Sequence, residues 1–405
     1  MEWLLTKCET QVMFGLKRLK LSTFFLYGGI ALLGPYLPLF YKALHFSSTQ
    51  IGLLMSIGPM VSLAANPWWG YWGDRWQNLK KLMLVLLLGN LLISQIFFQM
   101  ESYAFVLIAL IFFYLFQTAL NPMNTSLILQ TIEDQGGQFG SFRLWGSLGF
   151  AVVAAAAGPV VESIGIKNIG YIYGSFIIVT IVLILILPKP NAEKAQRKGT
   201  VHYKDAAAVF ADPRFIGFLF CCFLISVPNQ INNMFISLYI SDLGGSESAV
   251  GWSWFFAAIL EVPIFILLDR YMRKRSEMII ALLMLSSLVY AVRWFVMSVI
   301  DAPYAIVVLQ LVHAFSFGIF MYTGTLMCDM LVKSAYRSSA QAIYAVVWMG
   351  VSGILAGTVG GWMYDMVGPR TLFFIGGLMS LLALGGFAVM RKKTAAETNR
   401  QHLQA

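Results

Sequence analysis

Charged side chains are scarce in this sequence: they make up 12% of the 405 residues, against 59% hydrophobic residues. A soluble globular domain carries about 25% charged residues. Too few polar residues are present to cover a water-soluble globule of this size, so we expect lipid to surround much of the chain. The 28 Lys and Arg residues outnumber the 19 acids, but they form short runs between apolar segments. This pattern argues against nucleic acid as a partner.

Cysteines and cofactor motifs are also nearly lacking. The four cysteines are scattered, and the adjacent Cys221 and Cys222 lie in an apolar run. We interpret them as small hydrophobic residues and expect no metal site. The phosphate-binding loop Gly-x-x-x-x-Gly-Lys-Ser/Thr is absent from the sequence, which argues against ATP-driven transport by this chain alone. No nucleophile triad is visible, so the sequence predicts neither an enzyme nor a cofactor.

Long apolar runs dominate the chain instead. A membrane-spanning helix needs about 20 apolar residues, and twelve runs approach or exceed that length. The first follows a charged N-terminal segment without a small-residue cleavage site, so it predicts a membrane helix rather than a signal peptide. Predicted helices 1 to 12 span residues 21–43, 49–73, 82–100, 103–131, 141–163, 167–187, 213–240, 248–269, 276–300, 302–330, 336–364 and 370–390.

The distribution of Lys and Arg orients these helices. Cytoplasmic loops of membrane proteins are enriched in both residues. If the N-terminus is inside, the segments on the cytoplasmic side hold 23 of the 28 basic residues, and the outer loops hold only Lys42, Lys167 and Arg370. This split predicts an even number of spans in a cell (cytoplasmic) membrane, with both termini cytoplasmic.

A polar stretch divides the predicted helices into two sets of six. Residues 188–212 form the longest polar stretch, which begins with Pro188 and Pro190 and continues with Asn, Lys, Gln, Arg and Gly, and this composition indicates a cytoplasmic linker. We therefore predict an N-terminal six-helix bundle over 1–187, a C-terminal six-helix bundle over 213–390 and a cytoplasmic tail over 391–405.

Two short patterns occur once in each set, as expected of an internal repeat. The loop after predicted helix 2 contains Asp74-Arg75, and the loop after predicted helix 8 contains Asp269-Arg270. An internal repeat related by an axis along the membrane normal is typical of one large class of transporters. In the second pattern an acid lies between two glycines at the same spacing: Gly158, Glu162 and Gly165 in one set, and Gly361, Asp365 and Gly368 in the other.

The loop after predicted helix 2 resembles the signature loop of the major facilitator superfamily. The resemblance covers nearly the whole chain, and it implies an all-α membrane protein whose twelve transmembrane helices form two pseudo-symmetric six-helix bundles. Small residues in the loop allow close helix approach, and the basic residues anchor the cytoplasmic face. The resemblance implies a conformational role for Gly70, Gly73, Asp74, Arg75, Lys80, Lys81, Asp269 and Arg270.

More narrowly, the chain is similar to the phenylpropionate-permease and oligosaccharide-permease branches. The segments that carry this similarity begin at Arg143, Glu261, Val292, Leu311 and Gln341. The overall layout is also similar to lactose permease, whose transport residues include arginines in helices 5 and 9 and a histidine in helix 10. Arg143, Arg293 and His313 lie at those places, whereas Ser316 and Asn124 or Thr125 stand where that permease has acids.

Three ionisable residues lie deep within predicted membrane helices. Glu261, Arg293 and His313 belong to predicted helices 8, 9 and 10. Such groups are costly in a bilayer unless they are paired or wetted, so they suggest function. The helical rise places Glu261 and His313 at similar depths near the midplane. We predict that they share a transported proton and that Arg293 provides a fixed positive charge; a static pair that holds the three helices together is the alternative.

Softer signals indicate where a solute binds. A guanidinium favours a carboxylate or a sugar, amides form hydrogen bonds to polar solutes, and aromatic rings stack on sugar or aromatic rings. Arg143 has a structural alternative, a pair with Glu133 or Asp134; polar contacts between helices and aromatic packing are the alternatives for the rest. Pro228, just before Asn229, is expected to interrupt predicted helix 7. The predicted substrate-binding residues are Tyr27, Asn124, Arg143, Trp145, Asn229, Gln230 and Trp348.

Together these patterns predict a monomeric secondary transporter in the lipid bilayer. It moves a small polar or anionic organic solute, such as a sugar, a nucleoside or an aromatic acid, with protons by alternating access. Proton-coupled efflux is one alternative, although acids in the N-terminal bundle would be expected for it. A membrane sensor that binds a solute without moving it is another, although no appended signalling domain is apparent.

Overall fold

A computed structural model describes residues 2–136, 138–188, 212–272, 275–333 and 336–404. Within this part of the chain, helices follow the apolar runs and end where glycines, prolines and polar residues interrupt them. The first nine are α1 (Glu2–Ala43), α2 (Ser48–Trp76), α3 (Leu79–Phe97), α4 (Tyr103–Gln135), α5 (Phe139–Ile164), α6 (Ile169–Leu185), α7 (Pro213–Asp242), α8 (Glu247–Ile259, continued as Glu261–Tyr271) and α9 (Ser276–Val299).

Helices α10 and α11 depart from regular α geometry, and α12 follows α11 after a single non-helical residue. Helix α10 consists of Pro303–Leu309, a 3₁₀ turn at Gln310–Val312, a π turn at Ala314–Gly318 and Ile319–Leu331. Helix α11 begins as Arg337–Ala345, passes through a π turn at Val346–Val351 and enters the helical run Ser352–Gln404. Gly368, with a φ of 79°, interrupts that run and separates α11 from α12.

The twelve-helix prediction is confirmed over the described residues. Eleven helical runs are long and apolar enough to cross a membrane, and the last of them, Ser339–Thr394, contains both α11 and α12. Most of the predicted linker, residues 189–211, lies outside the described residues. Pro228 was expected to interrupt predicted helix 7, and this is wrong: α7 continues through it from Pro213 to Asp242. A transmembrane helix tolerates a proline when neighbouring helices, side chains or water molecules satisfy the backbone groups that the proline leaves unpaired.

Hydrogen bonds and glycines fix several helix ends. The Asn78 side chain accepts a hydrogen bond from the Lys81 amide and starts α3, and Asp212 does the same for the Arg214 amide at the start of α7. Polar side chains at such positions satisfy amides that have no partner within the helix. Gly165 ends α5 in a left-handed conformation with a φ of 83°, which L side chains rarely adopt.

The described chain forms two compact units. The first contains residues 2–46, 57–188 and 246–255, and the second contains residues 47–56, 212–245 and 256–404, apart from the gaps given above. The start of α2, residues 47–56, thus belongs to the second unit. The start of α8, residues 246–255, belongs to the first. The predicted domain boundaries stay a prediction.

The first unit is held together by close helix approach and by a buried polar cluster. A Cβ added at Gly149 of α5 would lie 2.2 Å from the Phe24 carbonyl oxygen of α1, so glycine permits these backbones to touch. On α3, α4 and α6, the Tyr173 hydroxyl is within hydrogen-bond distance of Asn90 and Gln117, whose amides also bond to each other. Polar contacts of this kind stabilise helix association in lipid.

Candidate functional site

In the second unit, Arg293 and His313 form a buried pair. Arg293 lies on α9 and is fully buried, and its Nη1 is 2.9 Å from Nδ1 of His313 on α10. Its Nη2 donates a hydrogen bond to Gln310, one turn before His313. The guanidinium also lies against the Trp294 ring, with Cζ 4.6 Å from the ring centroid. The guanidinium is therefore fixed by contacts along one side of α10 and by an aromatic face.

Glu261 completes the cluster on the other side of the imidazole. It begins the second segment of α8, after the break at Leu260, and its Oε1 is 3.5 Å from His313 Nε2. Its side chain is 26% exposed, against 9% for that of His313. His313 therefore stands between Arg293 and Glu261, and the three predicted proton-coupling residues lie together.

The contacts of His313 determine which ring nitrogen carries the proton. Arginine has only donors, so Nδ1 of His313 must accept the hydrogen bond from Arg293. A neutral imidazole with an accepting Nδ1 carries its proton on Nε2, and that nitrogen faces Glu261. A second proton on the ring would place an N–H group against a guanidinium, so Glu261 is the group in this cluster that is suited to accept a proton.

Aromatic rings extend from His313 towards α11. The imidazole stacks on Phe317, with centroids 5.0 Å apart and planes 12° apart. Phe317 contacts Trp348 at 6.2 Å, and Trp348 stacks on Phe320 at 5.1 Å. Trp348 itself is buried. The sequence predicted that the Trp348 ring stacks on a solute. In the described structure this ring packs on Phe317 and Phe320, so stacking on a solute would have to displace these contacts.

Asn229 and Gln230, the predicted substrate-binding residues on α7, form hydrogen bonds with other helices. Gln230 donates a hydrogen bond of 3.0 Å to the Trp348 carbonyl oxygen and accepts one from Asn233. The side-chain oxygen Oδ1 of Asn229 accepts a hydrogen bond from the Tyr290 hydroxyl, while its buried side-chain nitrogen Nδ2 has no hydrogen-bond partner among the described residues. Asn229 therefore keeps a donor for a solute or a water molecule, and Gln230 fixes α11.

The first unit contains a second candidate cluster around Arg143. Arg143 of α5 is exposed, and its Nη1 donates a 3.2 Å hydrogen bond to the Tyr27 hydroxyl of α1. A Cβ added at Gly146 would lie 3.2 Å from the Tyr27 ring, so glycine leaves room for that ring. Trp145 contacts Phe24 edge to face. Asn124 is buried, and its amide nitrogen is 3.5 Å from the Thr23 hydroxyl.

The signature-loop residues were expected to allow close helix approach through glycines and to anchor the cytoplasmic face through basic side chains. A Cβ at Gly73 would lie 3.3 Å from Leu82, but nothing lies within 4 Å of one at Gly70, so close approach is seen only at Gly73. Lys80 donates to the carbonyl oxygens of Leu185 and Leu187 at the end of α6, where a cation is favoured. Asp74 and Asp269 are exposed, and Arg75, Lys81 and Arg270 lie over the rings of Trp72, Trp76 and Tyr271 respectively.

The repeated glycine–acid–glycine pattern has a direct structural meaning in the second unit. Asp365 of α11 accepts hydrogen bonds from the amides of Ser48 and Thr49, at 3.0 and 2.7 Å, and so caps the first turn of α2. A Cβ at Gly361 would lie 2.7 Å from the Ser48 carbonyl oxygen. Gly361 thus permits the helices to meet, Asp365 holds the helix start, and Gly368 ends α11.

The first unit contains the same arrangement. Glu162 of α5 accepts a 2.9 Å hydrogen bond from the Ser248 amide at the start of α8, and a Cβ at Gly158 would lie 2.5 Å from the Ser248 Cα. Gly165 then turns the chain, as Gly368 does in the second unit. The sequence repeat therefore encodes an acid that caps the N-terminus of a distant helix.

Several contributing residues were not predicted from the sequence. Gln310 holds Arg293, and Ser286 contacts the π turn of α10. Gln310 lies three residues before His313 in an apolar run. This spacing places both side chains on one face of a helix, which was the sequence signal that could have identified Gln310. No group of three or more His, Cys, Asp and Glu among the described residues is placed to hold a metal ion.

Comparisons with known proteins identify the family. The MFS_1 like family matches residues 16–375. A maltose permease of Geobacillus stearothermophilus is 29% identical over 381 residues, covering 92% of this chain and 94% of that permease. A probable 3-phenylpropionic acid transporter of Escherichia coli is 26% identical, with coverage of 89% and 94%.

A solved structure supports the fold. The crystal structure of a mutant of the nucleoside transporter NupG superposes with a TM-score of 0.82 at 18% identity, over 93% of this chain and 99% of that one. The predicted resemblance to the major facilitator superfamily, and to its phenylpropionate and oligosaccharide permease branch, is confirmed. The chain therefore belongs to the MFS_1 like family, and it is a multi-pass membrane transporter of small molecules rather than an enzyme.

Proposed function

We propose that this transporter is a proton-coupled symporter that brings a small polar or anionic organic solute into the cell by alternating access. The observation that carries the proposal is that His313 lies between Arg293 and Glu261 in one cluster, in which Arg293 and His313 are buried and Glu261 is partly exposed. The proposed setting is the cytoplasmic membrane, with both termini in the cytoplasm and a monomer as the working unit. The distribution of Lys and Arg supports this orientation.

Glu261 is the proposed proton carrier. His313 donates from Nε2 towards the carboxylate while Arg293 occupies Nδ1. The partial exposure of Glu261 gives a proton a route to the carboxylate, whereas Arg293 is fully buried. His313 therefore holds the carboxylate in place, and Glu261 gains and loses the proton.

The charge balance of the cluster links the proton to the solute. When Glu261 is ionised, its negative charge offsets that of Arg293; when it is protonated, the positive charge of Arg293 is left uncompensated. An uncompensated buried charge is strongly unfavourable, so a solute carboxylate or a group of sugar oxygens near the guanidinium would stabilise the protonated state. Solute and proton would then bind together, which is the requirement for symport.

The relatives suggest which solutes to test. Their names refer to maltose, 3-phenylpropionic acid and nucleosides. These compounds share a small size and several oxygen atoms that accept hydrogen bonds from a guanidinium. They are test compounds for the sugar, aromatic-acid and nucleoside classes proposed here.

The deciding experiment measures pH in a lightly buffered suspension of de-energised cells that express the protein. Maltose, 3-phenylpropionate and a nucleoside are added in turn. We expect one of them to make the medium alkaline, because the solute enters with protons. If none does so while the protein is folded in the membrane, inward proton symport is wrong, and amphiphilic drugs in inverted vesicles would then test efflux.

A further prediction concerns solute recognition at Arg143. Replacing Tyr27 by Phe removes the hydroxyl that accepts from the guanidinium. A hydrogen bond to a charged group contributes about 1.5–3 kcal/mol, so we expect the KM for the identified solute to rise about tenfold or more. The maximal rate should change little. Arg143→Lys should also raise KM, because lysine lacks the planar fork.

Initial uptake rates over a range of solute concentrations test this prediction. The matched control is Tyr171→Phe, which removes an exposed hydroxyl of α6 that bonds to Gln99 in the same unit. An unchanged KM in both Tyr27→Phe and Arg143→Lys would assign the pair a purely structural role.

A further inference from the structure

Helix α10 changes geometry on both sides of His313. A 3₁₀ turn at Gln310–Val312 precedes it and a π turn at Ala314–Gly318 follows it. These changes disturb the regular pattern of backbone hydrogen bonds, so some carbonyl oxygens need other partners. The backbone around this residue therefore depends on side chains for its conformation.

Two buried serine hydroxyls supply those partners. Ser316 Oγ is 3.0 Å from the carbonyl oxygen of His313. Ser286 Oγ of α9 donates a 2.6 Å hydrogen bond to the carbonyl oxygen of Ser316. Both serines are fully buried. Together they connect α9 to the backbone of His313.

The same face of α9 also holds the imidazole. Ser286 and Arg293 are seven residues apart, which is close to two helical turns and places them on one face. Ser286 bonds to the π turn, and Arg293 bonds to Nδ1 of His313. Phe317, which stacks on the imidazole, belongs to the π turn itself. A change in the π turn would therefore rotate the ring away from Arg293 and Glu261.

We propose that Ser286 is a positioning residue for the proton-coupling cluster. It keeps the π turn of α10 in register with α9, so that His313 accepts from Arg293 through Nδ1 and presents its Nε2–H group to Glu261. This inference rests on the proposed proton symport. In this arrangement the Ser316 hydroxyl forms its hydrogen bond with the backbone of α10 rather than with the solute.

The test compares Ser286→Ala with Ser287→Ala. Ser287 is the adjacent residue and is equally buried, but its hydroxyl bonds within its own helix, to the Leu283 carbonyl oxygen. We expect Ser286→Ala to reduce solute-driven proton uptake about tenfold, the size of effect that one lost buried hydrogen bond produces. It should also alter the pH dependence of that uptake. Ser287→Ala should keep both, and Ser286→Thr, which restores a hydroxyl, should recover much of the activity.

A second measurement reports on the imidazole without transport. In a protein whose other histidines (His45, His202 and His402) are replaced, the ¹⁵N NMR shifts of His313 distinguish the Nε2–H from the Nδ1–H tautomer. We expect the Nε2–H form alone in the parent and in Ser287→Ala. A mixture of tautomers is expected in Ser286→Ala and in Ser316→Ala, which breaks the same connection from the other side.

Glu261→Gln, measured in parallel, separates the two proposals. If it abolishes coupled proton uptake while Ser286→Ala matches Ser287→Ala in uptake, pH dependence and tautomer, the role of Ser286 is wrong and proton symport stands. If Glu261→Gln keeps full coupled uptake, the proposed function is wrong, and the tautomer measurement alone decides whether Ser286 positions His313. A tautomer change confined to Ser286→Ala and Ser316→Ala supports the positioning role.

Discussion

Glu261→Gln should abolish solute accumulation and solute-driven proton uptake, while exchange of labelled for unlabelled solute across the membrane continues. Glutamine has the shape of a protonated glutamate, and its oxygen still accepts from Nε2 of His313. It cannot release a proton, so the step that returns the empty, deprotonated carrier is blocked. We expect accumulation against a gradient to fall to the level of cells without the transporter.

The measurement uses one solute in two assays, concentrative uptake in energised cells and exchange in de-energised vesicles. Glu277→Gln is the matched control, because Glu277 is an exposed acid in the first turn of α9 of the same unit. It should behave as the parent protein in both assays. Full accumulation by Glu261→Gln would make Glu261 part of a static pair that holds α8 and α10 together.

Gly52→Val should disrupt the start of α2 and cause the second large loss of transport. A Cβ at Gly52 would lie 2.1 Å from the Gly357 carbonyl oxygen, and one at Gly357 would lie 2.4 Å from the Gly52 carbonyl oxygen. Because both obstacles are backbone atoms, the two helices must move apart. Overpacking of this kind costs about 1–3 kcal/mol, equivalent to about a five- to 150-fold change in an equilibrium.

Hydrogen exchange locates this effect. Separation of α2 from α11 would remove Asp365 from the amides of Ser48 and Thr49, so the peptide over residues 48–56 should exchange faster as transport falls. Gly385→Ala is the control, since a Cβ there meets nothing within 4 Å. Unchanged exchange together with full transport in Gly52→Val would show that this close contact is not needed for the cycle.

The sequence predicted the helices well because lipid imposes a simple requirement. A chain with few charges must satisfy its backbone hydrogen bonds within helices, and this requirement produced eleven apolar helical runs, the last of which contains two of the twelve predicted helices. It did not determine local geometry. Pro228 suggested a break, but α7 continues through it, and the π turn after His313 occurs in an ordinary apolar stretch of Ala, Phe, Ser and Gly.

The candidate site was predicted as a set of residues, with Glu261 expected near His313, but the detailed contacts were not predicted. Glu261, Arg293 and His313 were identified because each is costly in lipid. Their order, with His313 between the two charges, depends on how three helices rotate about their axes, which hydropathy does not determine. The roles of Gln310 and Ser286 were missed for a related reason. An uncharged polar residue in a membrane helix has little cost, so it gives no signal until its partner is known.

The acid caps have a consequence for biosynthesis. The amides of Ser48 and Thr49 enter the membrane early in translation, but their acceptor is Asp365; the Ser248 amide, in contrast, finds Glu162 already synthesised. The Ser48 and Thr49 amides therefore wait for Asp365 until nearly all of the chain has been synthesised, and until then the start of α2 has only its local cap, in which the Ser47 hydroxyl accepts a hydrogen bond from the Gln50 amide. A chain that ends before residue 365 would lack the acceptor for these two amides.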